Sequence, residues 1–79
     1  MVRGSDTAIR LSYSMRATAP KAVREMAMRE IGSAFLRFGG DVSQASKYLG
    51  IGRATLHRWL KEHAYLRKLL ESARTHGPA

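Results

Sequence analysis

The stretch that most constrains this fold is residues 41–62, which has the pattern of two short helices joined by a glycine turn. Asp41 can accept hydrogen bonds from the backbone N–H groups in the first turn of a helix that begins after it. Gly50 supplies the left-handed backbone conformation that a tight helix exit requires, because glycine has no Cβ to clash. We therefore expect one helix between Asp41 and Gly50 and a second helix that begins after Gly52.

Each of these two helices carries an apolar stripe that we expect to be buried. Ser46 is small and lies beside Ala45, so the second helix can approach the first closely at this point. Two short helices that cross closely at a tight turn form a helix-turn-helix unit, which presents its second helix to the DNA major groove. The predicted inward residues are Ala45, Tyr48 and Leu49 in the first helix and Leu56, Trp59 and Leu60 in the second.

The polar side chains of the second helix are the candidate DNA contacts. Arginine can bind guanine edges or phosphates through two parallel hydrogen bonds, and lysine holds the phosphate backbone as a point charge. Which of these side chains would read bases is left open by the sequence, and an ordinary helical hairpin with a solvated basic face is the alternative interpretation. The predicted DNA-binding residues are Arg53, Thr55, His57, Arg58, Lys61 and Lys47.

The charge of the chain agrees with a nucleic-acid partner. The 79 residues carry a formal net charge of +8, spread over both halves of the sequence without a basic tail. Binding of phosphates by a folded surface is therefore favoured over binding by an unstructured arm. The chain contains no cysteine and no apolar run near the length of a membrane span, so we expect a cytoplasmic, nucleoid-associated protein that does not bind membranes.

A long helix is predicted before the helix-turn-helix unit, from about residue 20 to about residue 38. We expect Thr18 to cap its start, Pro20 to lie in its first turn, and Gly39 and Gly40 to end it. Its apolar side chains cover more surface than one small helical hairpin can bury, so a second copy of the chain is the expected neighbour. The alternative is a monomeric three-helix core. The predicted dimerisation residues are Val23, Ala27, Ile31, Gly32, Phe35 and Phe38.

The segment before this helix alternates apolar and polar residues from Ile9 to Arg16, which is the period of a half-buried strand. A lone strand needs a pairing partner, so we expect it to pair with its symmetry mate across a dimer; a packed arm and disorder are the alternatives. The predicted organisation is thus an N-terminal arm or strand over residues 1–17 and one helical domain over residues 18–79.

A C-terminal helical extension is predicted over residues 64–76, because Leu66, Leu69, Leu70 and Ala73 recur at helical spacing. The extension either prolongs the second helix of the unit or forms a separate helix after a bend near His63. Gly77 and Pro78 act as its stop signal. The basic residues of this segment, Arg67, Lys68 and Arg74, are either further phosphate contacts or solubilising charges.

The sequence of the central stretch resembles the Fis family, named after the factor for inversion stimulation. This family shares its helix-turn-helix type with the C-terminal DNA-binding domain of nitrogen-regulatory enhancer-binding activators. The resemblance implies a homodimer held by residues 20–38, with one recognition helix per subunit in successive major grooves. Trp59 stands where the family commonly has a basic residue, and we expect it to turn inward. The matching elements are Gly40-Asp41, Ala45-Ser46, Leu49-Gly50-Ile51, Arg53, Thr55-Leu56 and Leu60-Lys61.

The overall prediction is a mainly α, homodimeric protein that binds double-stranded DNA with sequence preference and acts as a transcriptional or nucleoid regulator. A recognition helix followed by Trp59-Leu-Lys-Glu62 and a further amphipathic helix also resembles small phage terminase subunits and transposase-associated modules. An oligomeric assembly module is therefore the alternative. The DNA-binding end of a larger activator is a third interpretation. We expect no enzymatic activity, cofactor, metal or small-molecule ligand, since the histidines lack metal-ligand spacing and the carboxylates lack a catalytic pairing.

Overall fold

The structure, a computed structural model, describes residues 4–76. Over that range it is mainly helical, as predicted, and contains no strand. The predicted stop signal at residues 77–78 lies outside the described part of the chain. None of the helices within residues 4–76 is long and apolar enough to cross a membrane. The helices are α1 (Gly4–Ser14), α2 (Lys21–Arg37), α3 (Val42–Leu49), α4 (Arg53–Glu62) and α5 (Ala64–His76).

Helix α2 lies at the centre of the fold, where it contacts α1, α3 and α5. Helix α4 packs against α3 and α5 and not directly against α2. Burial of apolar side chains from every helix drives this arrangement, since each helix has one apolar stripe to remove from water. The largest fully buried side chains are Leu11, Ile31, Phe35, Leu49, Leu56 and Leu66.

The strand predicted over residues 9–16 is wrong, because residues 4–14 form helix α1. A strand with this alternation would bury all four of its apolar residues on one face. The helix instead buries Leu11 and Met15, which are four residues apart and share a face, and it leaves Ile9 and Tyr13 exposed. Helix α1 therefore contributes to the same core as α2 and α3.

Four of the six predicted dimerisation residues, Ala27, Ile31, Gly32 and Phe35, are buried within the single chain. The other two, Val23 and Phe38, are partly buried. Within the single chain, α1, α3 and α5 pack against α2 and cover most of this face. The four buried residues thus keep little surface exposed in the single chain.

Gly32 of α2 is covered by a residue of the same chain. A Cβ added to Gly32 would lie 2.7 Å from Cδ1 of Leu69 in α5, so a side chain at this position of α2 would require Leu69 to shift. The close neighbour is therefore a side chain of the same chain. Gly32 lets α5 pack tightly on α2, which compensates for the low helix propensity of glycine.

The bounds of α2 agree with the prediction, although Thr18 is not its cap. Pro20 occupies the N-cap position itself, without a side-chain cap hydrogen bond. At the other end, the chain turns through Gly39 and Gly40, which have φ angles of 61° and 84°. The N–H of Gly40 donates to the carbonyl oxygen of Phe35 at 2.8 Å, which closes the helix end. This turn directs the chain into α3.

Candidate nucleic-acid interface

The turn between α3 and α4 is built as the sequence predicts. The Asp41 side chain caps α3 by accepting a hydrogen bond from the backbone N–H of Gln44 at 3.1 Å. Gly50 ends α3 in the left-handed conformation, with φ 74° and ψ 24°. Ser46 is buried, and its hydroxyl donates to the carbonyl oxygen of Ser43 at 2.9 Å, so this buried hydroxyl has a hydrogen-bond partner.

The inner face of α4 anchors the helix in the core. Leu56, Trp59 and Leu60 are all buried, and the prediction that Trp59 turns inward is confirmed. Gly52 occupies the N-cap position without a side-chain cap, also as predicted. With its inner face packed, α4 can present only its opposite face to a partner.

One predicted inward residue of α3 is placed wrongly by the sequence analysis. Tyr48 keeps 58% of its surface exposed. Its ring packs edge-on against Phe38, with ring centroids 5.6 Å apart, and the guanidinium of Arg37 lies 5.0 Å from the Tyr48 centroid. An aromatic pair with a cation over one ring can stabilise an exposed tyrosine, so Tyr48 need not enter the core.

The outer face of α4 brings four of the predicted DNA-binding residues together. His57, Arg58 and Lys61 are exposed along the helix, and Arg53 is exposed at its first turn. At 3.6 residues per turn, His57 and Lys61 share the middle of this face, whereas Arg53 and Arg58 lie on its two flanks. Thr55 is half-buried near the start of the helix and contributes less surface. The outer face thus presents an imidazole and an ammonium group between two guanidinium groups.

Arg53 is held in place by α3. Its guanidinium nitrogen Nη1 donates to the hydroxyl oxygen of Ser43 at 3.2 Å. Lys47, which is exposed, lines the same groove between α3 and α4 with Ile51 and Ser46. The fold therefore places the predicted Lys47 and Arg53 at one groove, on one flank of α4. Ser43 was not predicted, because only the tertiary structure shows that it faces Arg53.

Helix α5 is a separate helix, which decides between the two alternatives for residues 64–76. The chain bends at His63, whose backbone is extended with φ −123° and ψ 103°. The bend exposes the last carbonyl groups of α4, and Arg67 satisfies two of them. Its Nη1 donates to the carbonyl oxygens of Leu60 and Lys61 at 2.7 Å and 2.9 Å. A cation at this end also interacts favourably with the helix dipole.

The sequence allowed two roles for the basic residues of α5, phosphate contacts or solubilising charges. Arg67 and Arg74 instead make hydrogen bonds within the protein. Arg67 caps α4, while Nε of Arg74 donates to the carbonyl oxygen of Gly40 at 3.3 Å and ties α5 to the turn before α3. Lys68 is exposed on the same helix. Two of the three basic residues thus position the helix-turn-helix unit.

Replacing Arg67 by methionine is expected to lower the free energy of unfolding by about 1–2 kcal/mol, because two charge-assisted hydrogen bonds to the end of α4 are lost. The melting temperature should fall by roughly 4–8 °C for each kcal/mol in a domain of this size. Thermal unfolding followed by circular dichroism measures the change. Lys68→Met is the matched control, and equal melting temperatures for the two variants would contradict a capping role for Arg67.

The fold and this surface together define a helix-turn-helix DNA-binding domain. The chain belongs to the Fis family of bacterial regulatory proteins, whose family model matches residues 22–63, more than half of the chain. The match spans α2, α3 and α4, and the resemblance inferred from the sequence is confirmed. Comparison with curated protein sequences and with solved structures found no match.

Proposed function

We propose that the chain binds double-stranded DNA with sequence preference by inserting α4 into the major groove, and that it acts as a transcriptional or nucleoid regulator. The observation that carries this proposal is the outer face of α4, where His57 and Lys61 lie between Arg53 and Arg58. An α-helix with its side chains is about 10–12 Å across, which fits a major groove about 12 Å wide.

We expect the two flanks of α4 to make different contacts with the DNA. Arg53 begins the helix, and the N-terminal residues of a recognition helix are the ones that reach base edges. Arg58, one and a half turns later, reaches either a guanine or the phosphates beside the groove. Lys47, on α3, is suited to the phosphates on the Arg53 side. Base contacts provide sequence preference, and phosphate contacts provide most of the affinity.

The binding test is a fluorescence-anisotropy titration of labelled duplex DNA across a salt series. A protein that neutralises about five phosphates should give a slope of about −4.5 for log affinity against log salt concentration. Selection from a random duplex library, followed by titration of selected and scrambled sequences, measures the sequence preference. A flat salt dependence, or no binding at low salt, would contradict the proposed function.

A homodimer is also part of the proposal, since two recognition helices one helical turn apart would read a two-fold symmetric site. Most of the predicted α2 face is buried, so a second copy would use apolar surface that stays exposed, such as Ile9, Tyr13 and Met26. Sedimentation equilibrium with and without duplex DNA tests this part. A dimer supports it, whereas a ring or a higher oligomer would support the alternative assembly module.

A further inference from the structure

An open cleft of about 600 Å³ lies beside α4, between that helix and the segment that connects α1 to α2. Within residues 4–76, α4 makes its close helix contacts with α3 and α5, so the space between α4 and the start of α2 is left unfilled. This side of α4 is the flank of Arg58, opposite the groove that holds Arg53 and Lys47. The cleft therefore borders the outer face of α4.

The cleft is rich in guanidinium groups. Arg16 from the connecting segment, Arg24 from α2 and Arg58 from α4 all line it. Glu62 and His63 line it as well, so one carboxylate faces three guanidinium groups. Among residues 7–76, none of the three arginines forms an ion pair with a carboxylate. Glu62 can offset only one of the three positive charges, so the cleft keeps a net positive charge within the described part of the chain.

Arg24, at the wall of the cleft, carries a guanidinium donor that the described part of the chain leaves unsatisfied. Its Nε atom is buried and has no hydrogen-bond partner among the described residues. A buried polar donor without an acceptor is destabilising, and more so when the group is charged. Nε is closed off from the cleft in this structure, so a phosphate oxygen reaches it only when the Arg24 side chain turns outward. A phosphate suits this role, because guanidinium groups bind phosphates through parallel hydrogen bonds and bear less hydration than an ammonium group.

We propose that Arg16, Arg24 and Arg58 form a phosphate-binding cleft, and that this cleft holds a backbone phosphate of the DNA that α4 contacts. The inference rests on the proposed function. A DNA phosphate is favoured over a free phosphate because Arg58 belongs both to the cleft and to the outer face of α4, so a bound phosphate lies beside the groove that α4 enters. Arg16 precedes the matched residues 22–63, so this contact adds to the family motif.

The test compares Arg16→Gln combined with Arg24→Gln against Arg29→Gln in the salt-series titration. Arg29 is exposed on α2 and lies in a different surface depression, beside Tyr65. Loss of one phosphate contact should make the salt slope less steep by about 0.9 and weaken binding about three- to tenfold for all DNA sequences alike. Arg29→Gln should leave both quantities unchanged.

Circular dichroism checks the folding of each variant. If the double variant unfolds, Arg16→Gln alone is used to test the cleft, because Arg16 is exposed and lies outside the helices. Wild-type affinity and slope in a folded cleft variant would overturn the inference while the proposed function stands. Absence of DNA binding by the wild type would overturn both.

The source of the phosphate is tested by nuclear magnetic resonance of the Arg24 Nε–H signal. The expected result is a shift on addition of a short duplex, with inorganic phosphate or pyrophosphate at the same phosphate concentration having little effect. A saturable shift with pyrophosphate, combined with no shift on duplex addition, would overturn the assignment to DNA and identify a site for a free phosphate compound.

Discussion

Replacing Arg53 and Arg58 together by alanine is expected to weaken duplex DNA binding by about 2–5 kcal/mol, which is roughly 30- to 5000-fold. The two guanidinium groups lie on opposite flanks of the outer face of α4, so their removal leaves the helix without a strong contact on either side. Both residues are exposed, and the free energy of unfolding should therefore change little. The helical signal in circular dichroism should equal that of the wild type.

The matched control for this prediction is Arg29→Ala combined with Lys68→Ala, which removes two exposed positive charges from α2 and α5. Anisotropy titration of both double variants at one salt concentration separates loss of a contact from loss of net charge. The control should bind within a few-fold of the wild type, because exposed charges beyond about 10 Å are largely screened at 0.1 M salt. Undiminished binding by the Arg53 and Arg58 variant would place the DNA-contacting surface elsewhere.

Variants of the single arginines show whether each flank of α4 contacts bases or phosphates. If Arg53 contacts bases, Arg53→Ala reduces the discrimination between selected and scrambled DNA. If Arg58 contacts a phosphate in the cleft, Arg58→Ala weakens binding to both DNA sequences equally and reduces the salt slope. The hydroxyl of Ser43 accepts a hydrogen bond from Arg53, so Ser43→Ala should resemble Arg53→Ala with a smaller effect.

Replacing Phe35 by alanine is expected to lower the free energy of unfolding by about 3–5 kcal/mol, as for other large aromatic side chains removed from a core. Phe35 is fully buried between α2 and the helices that surround it. A domain of this length has a total stability of only roughly 4–12 kcal/mol, so the variant should be partly unfolded at 37 °C. Urea unfolding followed by circular dichroism measures the loss.

Unfolding of Phe35→Ala at different protein concentrations shows whether Phe35 is a core residue or a dimer contact. Because its neighbours belong to the same chain, Phe35→Ala should lower the unfolding midpoint without changing how strongly that midpoint depends on protein concentration. A midpoint that rises with concentration in the wild type and loses this dependence in Phe35→Ala would assign the side chain to a subunit interface. Leu36→Ala is the control, since Leu36 is 45% exposed and its loss should change the stability by about 0.5 kcal/mol or less.

The part of the fold that the sequence could predict is the part that depends on near neighbours. The Asp41 cap, the Gly50 turn and the inward face of α4 arise from residues within about ten positions of one another. Capping and left-handed turns are local interactions, so their residue types are sufficient evidence. The orientation of Trp59 follows from the same spacing, because it shares a helix face with Leu56 and Leu60.

The N-terminal segment shows why other predictions were wrong. Ile9, Leu11, Tyr13 and Met15 alternate as in a strand, but Leu11 and Met15 are also four residues apart, as on one face of a helix. A window of eight residues agrees with both periods, and the choice depends on which residues have partners elsewhere in the fold. Contacts of α1 with α2 and α3 decide in favour of the helix.

The sequence alone determined the helix-turn-helix unit, its family and the cationic face of α4, because short-range spacing and charge specify all three. Only the tertiary structure decided what covers α2, what Arg67 and Arg74 contact, and that Arg16, Arg24 and Arg58 share one cleft. Arg74 and Gly40 are 34 positions apart in the chain. Contacts at such separations depend on how all five helices pack, so no local pattern of residues encodes them.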